Sequence, residues 1–124
     1  MNKILITGGI GFIGTNLVNL LHSKGKWIIL NVDIQPPKIK MFNSVWKKVD
    51  LRNREDLMLL VKSFQPDYVI HLAARTDLRG KNLEDYDANM NGVSNLLDAL
   101  EYVPGLKRAI FASSMYAVRG RQSG

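Results

Sequence analysis

The chain opens on an apolar run, Ile4-Leu5-Ile6, that breaks directly into Thr7-Gly8-Gly9-Ile10-Gly11-Phe12-Ile13-Gly14. So short a run suits a strand buried on both faces of a sheet, and the glycines after it turn the chain into a helix. The glycines have separate jobs. One permits the tight turn, one lets backbone N–H groups approach a pyrophosphate, and one lets the new helix pack against its strand. Phosphates held there would sit on a positive helix end. The spacing reads as Gly8-x-x-Gly11-x-x-Gly14 or as Gly9-x-Gly11-x-x-Gly14. Such a pattern also arises as a purely structural turn. Here a second short run, Trp27 to Val32, follows the helix and ends at Asp33. That is about twenty residues past the turn, where a dinucleotide site needs a carboxylate for the adenosine ribose.

With 124 residues, 46% of them hydrophobic, the chain is at most one domain and can bury a real core. Its formal charge of +6 suits an anionic ligand, and would equally suit nucleic acid or acidic lipid. The basic residues are scattered, however, with concentrations only at Lys38 to Lys48 and Arg119 to Arg121. No nucleic-acid motif accompanies them, so a basic RNA- or DNA-associated domain ranks last among the readings. There is no cysteine, hence no disulfide framework or thiolate zinc site, and the two histidines, His22 and His71, cannot make a metal site alone. Met1-Asn2-Lys3 leads straight into the first strand, and no apolar run is long enough to span a bilayer. The expectation is a soluble, cytoplasmic chain without a bound metal or a membrane anchor.

Strand-like and helix-like stretches alternate. Ile13, Leu17, Leu20 and Leu21 fall on one helical face, and Lys24-Gly25 supplies the stop. Gln35-Pro36-Pro37 breaks any regular element, and Ser44 to Val49 forms a short third strand leading to Asp50-Leu51-Arg52. Asn53 caps a helix with Leu57, Leu60, Val61 and Phe64 at helical spacing, ended by Gln65-Pro66-Asp67. Tyr68-Val69-Ile70-His71-Leu72 reads as a buried parallel strand, in which His71 is a satisfied core histidine. A long helix places Leu83, Tyr86, Met90, Val93, Leu96, Leu97, Leu100 and Val103 on its buried side, and Arg108 to Ala112 forms the last strand before Ser113-Ser114. Five strands with helical crossovers make a doubly wound parallel α/β sheet, whose ligand belongs at the carboxyl ends of the strands.

These motifs, in this order, resemble the extended short-chain dehydrogenase/reductase family and its NAD-dependent nucleotide-sugar epimerase/dehydratase branch. The resemblance is carried by the glycine turn, Asp33, Asp50-Leu51-Arg52, His71-Leu72-Ala73-Ala74, Asn89-Met90-Asn91-Gly92, Asn95-Leu96-Leu97-Asp98-Ala99 and Phe111-Ala112-Ser113-Ser114. It implies a Rossmann-type sheet truncated after the fifth strand, with residues 1–124 forming the N-terminal part of an NAD(P)-binding domain. It further implies cofactor contacts from Gly8, Gly11, Gly14, Asp33, Asp50, Leu51, Leu72, Ala73, Ala74 and Asn89. Phe12 and Ile13 would supply backbone donors to the pyrophosphate. Asp50 would hold the adenine amino edge; its alternative is a turn carboxylate. Ala73 and Ala74 would line the nicotinamide side, where a bulky side chain would fill needed space. Ser114 would present a catalytic hydroxyl to a nucleotide-sugar substrate. Asn89 would join the shell behind the catalytic residues, or face solvent. Gly92 would let its helix approach the sheet closely. Arg75 and Thr76 are candidates for substrate contact, or plain surface residues. A carboxylate at Asp33 repels a 2′-phosphate, so NAD is expected over NADP, with Lys38 able to soften that repulsion.

Chemistry in this family depends on a Tyr-x-x-x-Lys pair, and Tyr68, Tyr86, Tyr102 and Tyr116 are followed four residues on by Leu72, Met90, Leu106 and Gly120. The segment after Ser114, with Arg119 in it, departs from the usual pattern, so Tyr116 is not taken as the catalytic tyrosine. The reading is therefore an N-terminal portion of an epimerase or dehydratase, inactive by itself and prone to form a homo-oligomer through an exposed fifth strand. A non-catalytic dinucleotide-binding or sensor module is the alternative.

Overall fold

The computed structural model describes residues 1–8, 11–72 and 83–112, with the backbone alone at residue 12 and over 83–89. Five parallel strands, β1 (Asn2–Thr7), β2 (Trp27–Asp33), β3 (Trp46–Lys48), β4 (Tyr68–Leu72) and β5 (Arg108–Ala112), form one sheet in the order β3-β2-β1-β4-β5. Between them lie α1 (Phe12–Lys24), a short 3-10 helix (Lys40–Val45), α2 (Arg54–Phe64) and α3 (Leu83–Leu100). The winding runs outward from β1 to β2 and β3, then crosses back to β4 and outward to β5. The reversal lies between β1 and β4, which are hydrogen-bonded neighbours. In an open sheet of this kind, the crevice at that switch point is where ligands bind.

Residues in β1 alternate between two cores, as a period of two requires. Ile4 and Ile6 join Val18, Ile29 and Phe42 beneath α1 and the 3-10 helix. Leu5 joins Val32, Leu57, Val61, Val69 and Leu96 beneath α2 and α3. The strand is therefore buried on both faces, which is why its central residues are apolar without interruption.

The expected ends of α1 and α2 hold. Gly25 closes α1 in the left-handed conformation at φ 67°, with its N–H on the His22 carbonyl. The Asn53 side chain caps α2 by accepting from the Asp56 N–H at 3.1 Å. Three expectations need correction. The third strand is only Trp46–Lys48, because residues 40–45 coil into the 3-10 helix to bury Phe42. In α1 the sheet-facing stripe runs through Gly14 and Val18, leaving Ile13 and Leu20 exposed. In α3, which stops at Leu100 so that Val103 is buried from the turn beyond it, Met90 and Leu97 are exposed while Leu96, Ala99 and Leu100 carry the packing. Both helices show an apolar stripe wider than the contact made. β5 forms as expected and is the sheet edge among the described residues, with Ile110 and Phe111 exposed.

Candidate functional site

The carboxyl ends of β1, β2 and β4 meet at the switch point. Gly8 leaves β1 at φ 77°, a conformation side chains resist, and its N–H donates to the Val32 carbonyl at 3.2 Å. A Cβ there would lie 2.2 Å from the Leu72 carbonyl oxygen. Gly8 thus lies against the end of β4 at a distance only glycine allows. Just below, Thr7 Oγ1 and His71 Nδ1 are hydrogen-bonded at 2.5 Å, and the imidazole lies 5.5 Å from the Phe111 ring. Both residues are buried, and burial pushes the His71 pKa below its ordinary value. His71 is the core histidine the sequence suggested, and it ties β4 to β1 under the glycine turn.

The turn delivers the chain into α1 with its amino end bare. Gly11 is the N-cap and offers no side-chain acceptor, and the first turn carries no acid. The N–H groups of Phe12, Ile13 and Gly14 precede the first intrahelical bond, from Thr15 N–H to the Gly11 carbonyl at 2.8 Å. By contrast α2 has a capping Asn53 and two acids, Glu55 and Asp56, in its first turn. A helix start aimed at the switch point without its own negative group is suited to an anion supplied from outside.

Asp33, the last residue of β2, is partly buried. Its Oδ1 accepts from the Gln35 N–H at 3.2 Å. Its carbonyl accepts from Trp46 Nε1 at 3.1 Å and from the Val49 N–H at 3.3 Å. The carboxylate is therefore held at the carboxyl end of β2 and retains acceptor capacity for a hydroxyl ligand.

Asp50 is already engaged. It accepts from the Arg52 backbone N–H at 2.9 Å and from the Arg52 guanidinium, with a shortest contact of 2.8 Å. The Arg52 hydrogen bonds hold its pKa below the ordinary carboxylate value, against a smaller opposing effect of burial. Leu51 beside it is clamped from α3. Asn95 Nδ2 donates to the Leu51 carbonyl at 2.9 Å, and a Cβ on Gly92 would lie 3.1 Å from Leu51 Cβ. The absent side chain at Gly92 thus admits Leu51 and its turn, rather than the sheet itself. An ion pair between Arg54 and Asp98 adds a second tie between α2 and α3.

Gly8, Asp33, Asp50, Leu51 and Leu72 accordingly lie at or just past the carboxyl ends of the strands, with Gly11, Phe12 (backbone alone), Ile13 and Gly14 at the start of α1. Ala73, Ala74, Arg75, Thr76, Ser114 and Tyr116 lie outside the described residues, and Asn89 is described only as backbone within α3. Sequence reasoning gave no role to Trp46, Arg52 or Asn95. Arg52 was findable, two residues from the carboxylate it pairs with. Asn95 was not, because its partner is 44 residues away. No helix among the described residues is long and apolar enough to cross a membrane.

A parallel sheet doubly wound about β1, with a glycine turn at its switch point, is the Rossmann-type arrangement. A sequence model of the NAD dependent epimerase/dehydratase family matches residues 4–123, and the chain belongs to that family. Among curated relatives, GDP-6-deoxy-D-talose 4-dehydrogenase of Aggregatibacter actinomycetemcomitans is 30% identical over 97% of this chain and 37% of its own length. A UDP-glucose 4-epimerase structure from Stenotrophomonas maltophila, with NAD and formylated UDP-arabinopyranose bound, superposes with a TM-score of 0.77 at 25% identity, over 100% of this chain and 40% of that one. L-threonine 3-dehydrogenase from Trypanosoma brucei superposes with a TM-score of 0.71 at 28% identity, over 89% and 36%. The chain thus spans little more than a third of these proteins.

Proposed function

We propose that this chain binds NAD across the β1–α1 turn and is the cofactor-binding portion of an enzyme acting on a nucleotide-linked sugar. The observation that carries the reading is the glycine turn pressed against the Leu72 carbonyl, which feeds a helix whose amino end has no capping side chain. In this reading the N–H groups of Phe12, Ile13 and Gly14 donate to the pyrophosphate, and Asp33 accepts from the adenosine ribose. Asp50, braced by Arg52, and Leu51, braced by Asn95, form the wall at the adenine end. Leu72 leads into the small residues Ala73 and Ala74 on the nicotinamide side. NAD would accept a hydride from a sugar carbon and return it in the epimerase and dehydratase chemistry. Ser114 would orient the reacting hydroxyl. No tyrosine of these 124 residues is followed four positions on by lysine, so the chain by itself is expected to bind and not to turn over.

The NAD-bound UDP-glucose 4-epimerase structure, which superposes over the whole chain, supports the cofactor part of the reading. The sugar part of the reading rests on relatives such as the GDP-6-deoxy-D-talose dehydrogenase. Calorimetric titration tests the cofactor part. Saturable NAD binding, weakened about tenfold or more in Asp33→Ala, is expected from loss of charge-assisted hydrogen bonds worth about 1.5–3 kcal/mol. Absence of binding by the folded wild-type chain would overturn it.

A further inference from the structure

Asp33 is the carboxylate on which a preference for NAD over NADP would rest, and the sheet sets a lysine beside it. In the parallel β2–β3 pair, Asp33 is in register with Lys48. Register partners on adjacent strands point to the same face, about 5 Å apart at Cβ. The pairing is pinned at this point by the two bonds into the Asp33 carbonyl, from Trp46 Nε1 and the Val49 N–H. Lys48 therefore cannot drift away from Asp33 as a loop lysine could. Its side chain is exposed and uncommitted: the ion pairs among the described residues are Arg52–Asp50 and Arg54–Asp98. Asp50, the next carboxylate along the chain, is held by Arg52 and does not compete for it. Lys38 lies in the exposed coil between β2 and the 3-10 helix, with no strand pairing to fix its position.

We propose that Lys48 is a cofactor-selectivity residue, placed by strand register to receive the 2′-phosphate of NADP and so to offset much of the repulsion from Asp33. The inference rests on the cofactor reading above. A 2′-phosphate carries a charge of about −1.5 to −2 at neutral pH. A flexible ammonium anchored next to the ribose site can follow that charge, whereas the 2′-hydroxyl of NAD offers it no charge to pair with.

The experiment is calorimetric titration of the chain with NAD and with NADP, at low and at high potassium chloride. Wild type, Lys48→Ala and Lys47→Ala are compared. Lys47 is also exposed but is in register with Val32, on the opposite face. Wild type is expected to bind NADP within about tenfold of NAD, with the steeper salt dependence for NADP. Lys48→Ala is expected to weaken NADP about fivefold, to leave NAD within about twofold, and to remove the difference in salt dependence. Lys47→Ala is expected to change neither ratio. Equal losses for both cofactors in Lys48→Ala, or saturable NAD with no detectable NADP binding in wild type, would overturn the proposal and leave the NAD reading standing. Failure of wild type to bind either cofactor would overturn both.

Discussion

At the scale of single residues, Gly8 and His71 decide how β1 meets β4. Gly8 combines a positive φ with a Cβ position 2.2 Å from a backbone carbonyl, so no rotamer change relieves a substitution there. Gly8→Ala is expected to destabilise the fold by about 2–3 kcal/mol or more, read as a lower urea midpoint at unchanged slope. His71 makes the same junction pH-sensitive. Its pKa is lowered in the folded chain, so between that value and the ordinary one, about 6.5, the unfolded chain binds more protons. Stability then rises with pH between the lowered value and about 6.5, and His71 adds no slope on either side of that window. Urea titrations at stepped pH are expected to show this slope in wild type and a smaller one in His71→Gln. An equal slope in both would contradict the assignment. The burial of His71 was legible from its apolar strand; its bond to Thr7 was not, because the two residues are 64 positions apart.

At the scale of elements, the two contrasting helix starts carry the functional argument. α2 satisfies its amino end from its own sequence through Asn53, a signal readable in advance, and α1 does not. What could not be read was how α3 reaches the Asp50–Arg52 turn. Gly92 looked like a concession to sheet packing, yet it and Asn95 together seat the Leu51 turn. Asn95→Ala is expected to cost about 1 kcal/mol from the lost bond to a backbone carbonyl. It is also expected to raise amide exchange at residues 51–53 more than in β1, measured by hydrogen exchange. Uniform change across the chain would show that the bond serves global stability alone. The exposure of Ile13, Leu20, Met90 and Leu97 has a related cause: periodicity finds an apolar stripe but not the neighbour that covers it.

At the scale of the whole molecule, alternation of apolar runs and amphipathic stretches was enough to foresee a parallel doubly wound sheet, because crossover handedness and strand burial leave few other arrangements. The order β3-β2-β1-β4-β5 and the place of the switch point come from the structure, and with them the convergence of Gly8, Asp33 and Leu72 at the carboxyl ends of the strands. The details that complete the edge came from contacts between residues distant in sequence, as with Trp46 on Asp33 and Asn95 on Leu51. Membership of the NAD dependent epimerase/dehydratase family agrees with this frame. The proposed dinucleotide site is the carboxyl edge of the sheet at the β1–β4 switch point. The most direct test is to titrate isotope-labelled chain with NAD and follow backbone amide resonances. Saturable shifts are expected to concentrate at Gly8, Phe12, Ile13, Gly14, the residues around Asp33 and the Asp50–Arg52 turn. Shifts confined to the opposite, amino-terminal edge of the sheet, or none at saturating NAD, would contradict it.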